Sequence, residues 1–196
     1  RPYSPPSTWC SSGLSGRTVY ALAYAPTNCS VRYAGVDGGI YKSTNTGATW
    51  SPAGLSGKLV TSVAMDPTTP QTVYAATWGQ GVYKSTNGGG SWTQANAGLD
   101  SKLWIFPLAI APDGSALYAG TYDGGVFKSS NGAASWLPVD NGLANLDIRG
   151  LDIDPNNGQV LYAGTTDGAY KTSNGGLSWS PAGDGLWGRK VWSFAV

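Results

Sequence analysis

The sequence predicts an all-β protein of repeated four-stranded antiparallel sheets, and three observations predict it. An eight-residue box recurs four times, as Ser43–Trp50 (STNTGATW), Ser85–Trp92 (STNGGGSW), Ser129–Trp136 (SSNGAASW) and Thr172–Trp179 (TSNGGLSW). The box tryptophans stand 42, 44 and 43 residues apart, a period that belongs to repeat architectures. The composition is that of a turn-rich β protein, with 29 Gly, 12 Pro, 9 Trp and 11 Tyr but only 12% charged residues.

Residues 1–17 read as the last strand of a preceding sheet: Trp9 lies 41 residues before Trp50, and Gly13–Gly16 recurs as Gly54–Gly57. Four complete repeats follow, at about 18–57, 58–101, 102–145 and 146–189. The first has strands Val19–Ala25, Val31–Val36 and Gly39–Ser43, then the box and a fourth strand from Trp50. The second runs through Leu59–Met65, Thr72–Thr77 and Gly81–Ser85 to Trp92. The third uses Leu103–Ala111, Ala116–Thr121, Gly125–Ser129 and Trp136. The fourth uses Ile148–Ile153, Val160–Thr165, Ala169–Thr172 and Trp179. Residues 190–196 open the first strand of a following sheet. A proline breaks each first strand (Pro26, Pro67, Pro112, Pro155), because it cannot continue a ladder.

Within the box, Asn45, Asn87, Asn131 and Asn174 suit a turn, since the side chain bonds nearby backbone and tolerates left-handed φ. The glycines supply positive φ without steric cost. Trp50, Trp92, Trp136 and Trp179 then return the chain to extended structure and are expected to be buried at equivalent positions. One four-stranded sheet per period of about 43 residues is what radial propeller blades require; the alternative, a parallel β-helix, has shorter rungs. Residues 1–196 therefore form a single propeller or a propeller segment. They are expected not to close a ring alone, and further repeats or a second chain would complete it.

Composition narrows the chemistry. Net charge is +1 with no basic run, so neither nucleic acid nor an anionic membrane is an expected partner. No 18-residue apolar run is present, so no transmembrane helix is expected. A chain opening on Arg1, without Met or a signal peptide, is expected to be a processed product. Histidine is absent and all eleven carboxylates are Asp, which removes the commonest general base and metal ligand. No metal or cofactor is expected.

The box resembles the Asp-box (sialidase-type) repeat, Ser-x-Asp-x-Gly-x-Thr-Trp, with Asn at the Asp position in every copy and Ala133 at one Gly position. The surrounding Tyr-Ala-Gly…Asp-Gly-Gly…Tyr-Lys-Ser is similar to propellers of the xyloglucanase, sortilin-type and photosystem II assembly-factor groups. The resemblance covers nearly the whole chain. It implies that the box is peripheral, in the turn between third and fourth strands. It also implies a working face built from the loops entering first strands and joining second to third strands.

Those loops carry Arg17, Lys58, Lys102, Arg149 and Lys190 in the first set. The second set carries Asp37, Trp78, Gln80, Tyr122, Asp123 and Asp167, with Trp104, Trp187 and Trp192 beside them. Trp78, Trp104, Tyr122, Trp187, Asp123 and Lys102 are the candidate ligand-binding residues, since aromatic faces beside charged donors suit a sugar or a polar peptide. The competing reading is that Asp-Gly is good hairpin chemistry and the basic residues are solvated.

A sialidase activity is excluded, because Glu is absent and no Arg has the required context. For a xyloglucanase-like hydrolase, Asp37, Asp123 and Asp167 are the candidate carboxylates. The expected function is a non-enzymatic recognition or scaffold module outside the cytoplasm (extracellular, cell-surface or periplasmic), binding protein or polysaccharide. The alternatives are the hydrolase and an assembly factor for a membrane complex. Cys10 and Cys29 form either a disulfide or two buried thiols, and the family arrangement, which puts both on one face, favours the disulfide. Asn28-Cys29-Ser30 matches a glycosylation sequon.

Overall fold

The computed structural model describes residues 13–25 and 28–194. They form four separate four-stranded antiparallel sheets, each meandering in chain order. Blade one holds β1 (Val19–Ala25), β2 (Asn28–Val36), β3 (Gly39–Ser43) and β4 (Ser51–Pro52). Blade two holds β5 (Val60–Met65), β6 (Val73–Thr77), β7 (Gly81–Ser85) and β8 (Thr93–Gln94). Blade three holds β9 (Ile105–Ile110), β10 (Leu117–Thr121), β11 (Val126–Ser129) and β12 (Leu137–Pro138). Blade four holds β13 (Ile148–Asp154), β14 (Asn157–Thr165), β15 (Gly168–Thr172) and β16 (Ser180–Pro181). Among the described residues no helix is long and apolar enough to cross a membrane, and no cluster of Cys and Asp is placed to hold a metal.

The strands occupy the expected places, with two differences. Second strands start earlier in blades one and four, because the first hairpin is tight there: Asp154 pairs directly with Asn157 across Pro155–Asn156. Fourth strands are only two residues long, and in three blades a proline ends them.

First strands pack on one another in the order β1, β5, β9, β13, and no comparable packing joins β13 to β1 among the described residues. The apolar core lies between blades. Tyr33 and Ala25 of blade one meet Val63, Val73 and Ala75 of blade two; similar layers follow at the next two joints. The Gly of Tyr-Ala-Gly is there for close approach: a Cβ on Gly35 or Gly120 would lie 2.8 or 2.5 Å from Val60 or Ile148 of the next blade.

Trp136 and Trp179 are buried, as expected, but Trp50 and Trp92 are only half-buried. Trp92, Trp136 and Trp179 each donate their indole N–H to a carbonyl of the preceding blade (Ala53, Ala95, Val139) at 2.7–2.8 Å. Trp136 and Trp179 also donate their backbone N–H to Ala97 and Asn141, in a turn two residues longer than the Ala53–Leu55 turn over Trp92. Trp50 instead lines an open groove on blade one.

The last described residues are not a strand. Val191 donates its backbone N–H to Thr165 at 2.9 Å, and Phe194 lies 5.8 Å from the ring of Tyr162. The segment thus sits where a following first strand would, without a sheet partner. Trp9 and Cys10 lie outside the described residues, and so does the Cys10–Cys29 pairing; Cys29 itself is exposed on β2.

Candidate functional site

Each first strand begins with a one-residue register shift against its second strand, at Val19/Ala21, Val60/Ser62, Ile148/Gly150 and, in blade three, opposite Ala119/Thr121. A bulge at this place re-aims a side chain at the mouth of the blade. In blades three and four the residues in that position are Phe106 and Arg149.

They join an aromatic cluster. Trp78, on the turn after β6, stacks on Trp104 with centroids 5.5 Å apart and planes at 14°. Phe106 and Tyr122 meet Trp78 edge-on at 4.7 and 5.8 Å, and Tyr122 also meets Trp104 at 5.8 Å. The Arg149 guanidinium lies 4.6, 4.9 and 5.4 Å from the ring centroids of Phe106, Tyr122 and Trp192. Asp147 holds it with two contacts of 2.7 Å. Trp78, Trp104 and Tyr122 nevertheless stay 37%, 49% and 38% exposed. Apolar rings left open to water beside fixed charges form a surface that gains by being covered.

The other candidates divide. Lys102 pairs with Asp123 at 3.3 Å, and its stem packs on Gly124, so both sit on the same blade-three rim as Tyr122. Trp187 stands apart, edge-on to Tyr170 at 6.0 Å. Arg17 and Lys58 cover Tyr41 and Tyr83 at 4.8 and 5.2 Å, and Lys58 also meets Gln80, so these cations pack on their own blades. Asp37, Asp123 and Asp167 come from three different blades. Phe106 and Asp147 were absent from the sequence-based set. For Phe106 a signal existed, since Trp104 and Phe106 are two apart, and strand periodicity places such pairs on one face.

The box is peripheral to all this and is the same in every blade. Asn87 Oδ1 accepts from the Ser85 hydroxyl and the Ser91 N–H, both at 2.9 Å, while Nδ2 donates to the Ser91 hydroxyl at 3.0 Å. Asn45, Asn131 and Asn174 repeat the pattern. The amide does what a carboxylate cannot, accepting at one atom and donating at the other.

The chain is thus an arc of Asp-box-type propeller blades. No protein-family model matches it, and no curated protein sequence matches it. Among solved structures, it is similar to a GH74 enzyme of Niastella koreensis, with 26% identity and a TM-score of 0.69 over 82% of this chain and 28% of the enzyme. It is similar to YCF48 of Cyanidioschyzon merolae, with 15% identity and a TM-score of 0.66 over 90% of this chain and 59% of that one. YCF48 bound to a D1 peptide matches with 19% identity and a TM-score of 0.64, over 84% and 55% of the two chains. The chain therefore spans less than two thirds of each of these proteins.

Proposed function

We propose that the protein is a non-enzymatic recognition module, working outside the cytoplasm, whose aromatic platform binds polysaccharide. The observation that carries this reading is the half-exposed Trp78–Trp104–Tyr122 cluster, flanked by the Lys102–Asp123 and Arg149–Asp147 pairs. Sugar rings offer C–H faces to stack on such rings and hydroxyls to bond the flanking charges. A hydrolase needs two carboxylates roughly 5–10 Å apart across one bond. Of the three candidate carboxylates here, Asp123 is already paired with Lys102.

A glycan-array screen paired with a reducing-sugar assay tests the reading. Binding to a polysaccharide without release of reducing ends is expected, with Trp104→Ala weakening it at least tenfold. Release of reducing ends abolished by Asp37→Asn, Asp123→Asn or Asp167→Asn would instead make it the hydrolase. Binding only to peptides would move the platform to protein recognition.

A further inference from the structure

Three of the four boxes place a glycine directly after the box Asn, at Asn87-Gly88, Asn131-Gly132 and Asn174-Gly175. Asn is a thermolabile residue, and a following Gly has no side chain to keep its backbone nitrogen from the Asn side-chain carbon. In all three boxes that carbon is equally prepared. Its Oδ1 accepts a hydroxyl and a backbone N–H at 2.8–3.0 Å, which draws electrons from Cγ and steadies the negative oxygen formed on attack. The Asn-Gly pairs outside the boxes lack these two donors. Among the described residues Asn141 Oδ1 accepts nothing, and Asn157 Oδ1 accepts only the Gln159 N–H.

The nucleophile is what differs between the boxes. Gly88 donates its N–H to the Gln71 carbonyl at 2.8 Å, and Gly175 donates to Gln159 at 2.9 Å. Both glycines are buried, and the same glutamines cover them: a Cβ on either would lie 2.6 Å from the Gln Oε1. Blade three has Ser115 at the corresponding place before Tyr118. Its short side chain turns back to Asp113, at 2.6 Å. Gly132 is left half-buried, and its N–H has no acceptor among the described residues. A Cβ on it would meet only the tips of Lys84 and Tyr74.

We propose that Asn131 is a site of spontaneous deamidation, singled out from its sister asparagines by the open backbone of Gly132. Hydroxide takes the Gly132 N–H proton, and the nitrogen attacks Asn131 Cγ. The new C–N bond closes a succinimide ring, the Cγ–Nδ2 bond breaks, and ammonia leaves with a proton from water. A second water then opens the ring on either side, giving aspartate or isoaspartate. Aspartate keeps the main chain in register and loses the bond that Nδ2 donates to the Ser135 hydroxyl. Isoaspartate adds a methylene to the main chain and shifts the Gly132 carbonyl, which accepts from Lys84 at 2.8 Å across the joint between blades two and three. The reaction thus loosens one joint of the arc with time.

The test is incubation of the 196-residue chain in mildly alkaline buffer, folded and in urea, followed by peptide mapping with isoaspartate detection. In urea the three box sites should react at similar rates, since each is Asn-Gly. In the folded chain Asn131 should convert at least tenfold faster than Asn87 or Asn174. Ser115→Gln, which puts a glutamine where the other two joints have one, should slow Asn131 towards the rate of its sisters. Equal rates at the three sites of the folded chain overturn the proposal, and so does an Asn131 that stays intact while its urea-unfolded counterpart converts. A folded Ser115→Gln chain in which Asn131 reacts as fast as before overturns the assignment to the open backbone.

Discussion

The outer rim and the loop face of these blades follow opposite rules. At the rim four boxes use the same Asn, the same hydroxyl partners and nearly the same backbone angles. On the loop face no two blades agree: the residue aimed by the first-strand bulge is Tyr20, Thr61, Phe106 or Arg149 in turn. Thr61 turns inward and donates to the Ile105 carbonyl, whereas Phe106 and Arg149 build the aromatic platform. What is repeated holds the blade, and what varies at a fixed geometric place is available for recognition.

The largest expected effect separates the two regions by stability. Trp136→Ala removes a buried indole and its hydrogen bond to Ala95, and should cost about 3–5 kcal/mol in urea unfolding. Trp104→Ala, on the open platform, should cost about 1 kcal/mol or less while weakening polysaccharide binding at least tenfold. Similar losses at the two positions would erase the distinction. Next in size is Asn131→Ala, which strands the Ser129 hydroxyl and the Ser135 N–H and should cost about 1–3 kcal/mol.

A smaller effect has the opposite sign. Ala133 and Thr46 hold φ of 65 and 59°, where side chains are strained. Ala133→Gly and Thr46→Gly should each stabilise by about 0.5–1 kcal/mol, whereas Gly89→Ala should destabilise. A loss on either glycine substitution would mean that the box geometry is not the limiting strain.

The smallest effect concerns alkaline pH. Burial, aided by the Asp66 carboxylate, raises the Tyr74 phenol above its ordinary value of 10.0. The unfolded chain therefore loses this proton first, so the contribution is intact below pH 10 and lost as pH climbs through the folded value. Tyr74→Phe should flatten part of that alkaline decline in unfolding free energy, and an unchanged slope would refute it.

Most of the blade was legible in the sequence, because period, turn chemistry and alternation are local. Gly39–Ser43 and Gly81–Ser85 fall where the pattern puts them. The half-burial of Trp92 was not legible, since it depends on the length of a turn in the neighbouring blade. Phe106 was missed because a register shift delivers it to the platform, whereas Arg149, delivered by the corresponding shift in blade four, already stood among the loop residues of the working face. Tyr33 and Lys42 were visible as a repeated pair, but their shared acceptor lies 55 and 46 residues away in the chain.

The bonds that Lys42, Lys84 and Lys128 donate to backbone carbonyls of the next blade also bear on how the molecule comes apart. Each blade is held by its immediate neighbours, so cohesion behaves as a chain of nearest-neighbour couplings rather than one indivisible core. Blades two and three have a neighbour on both sides among the described residues, while blades one and four have one each. Opening should begin at the two outer blades and travel inward. Backbone amides of β6 and β10 should then exchange with solvent most slowly, and those of β2 and β14 sooner. Adding a blade at either end would slow exchange in the adjoining blade first, because that is where the missing coupling is restored.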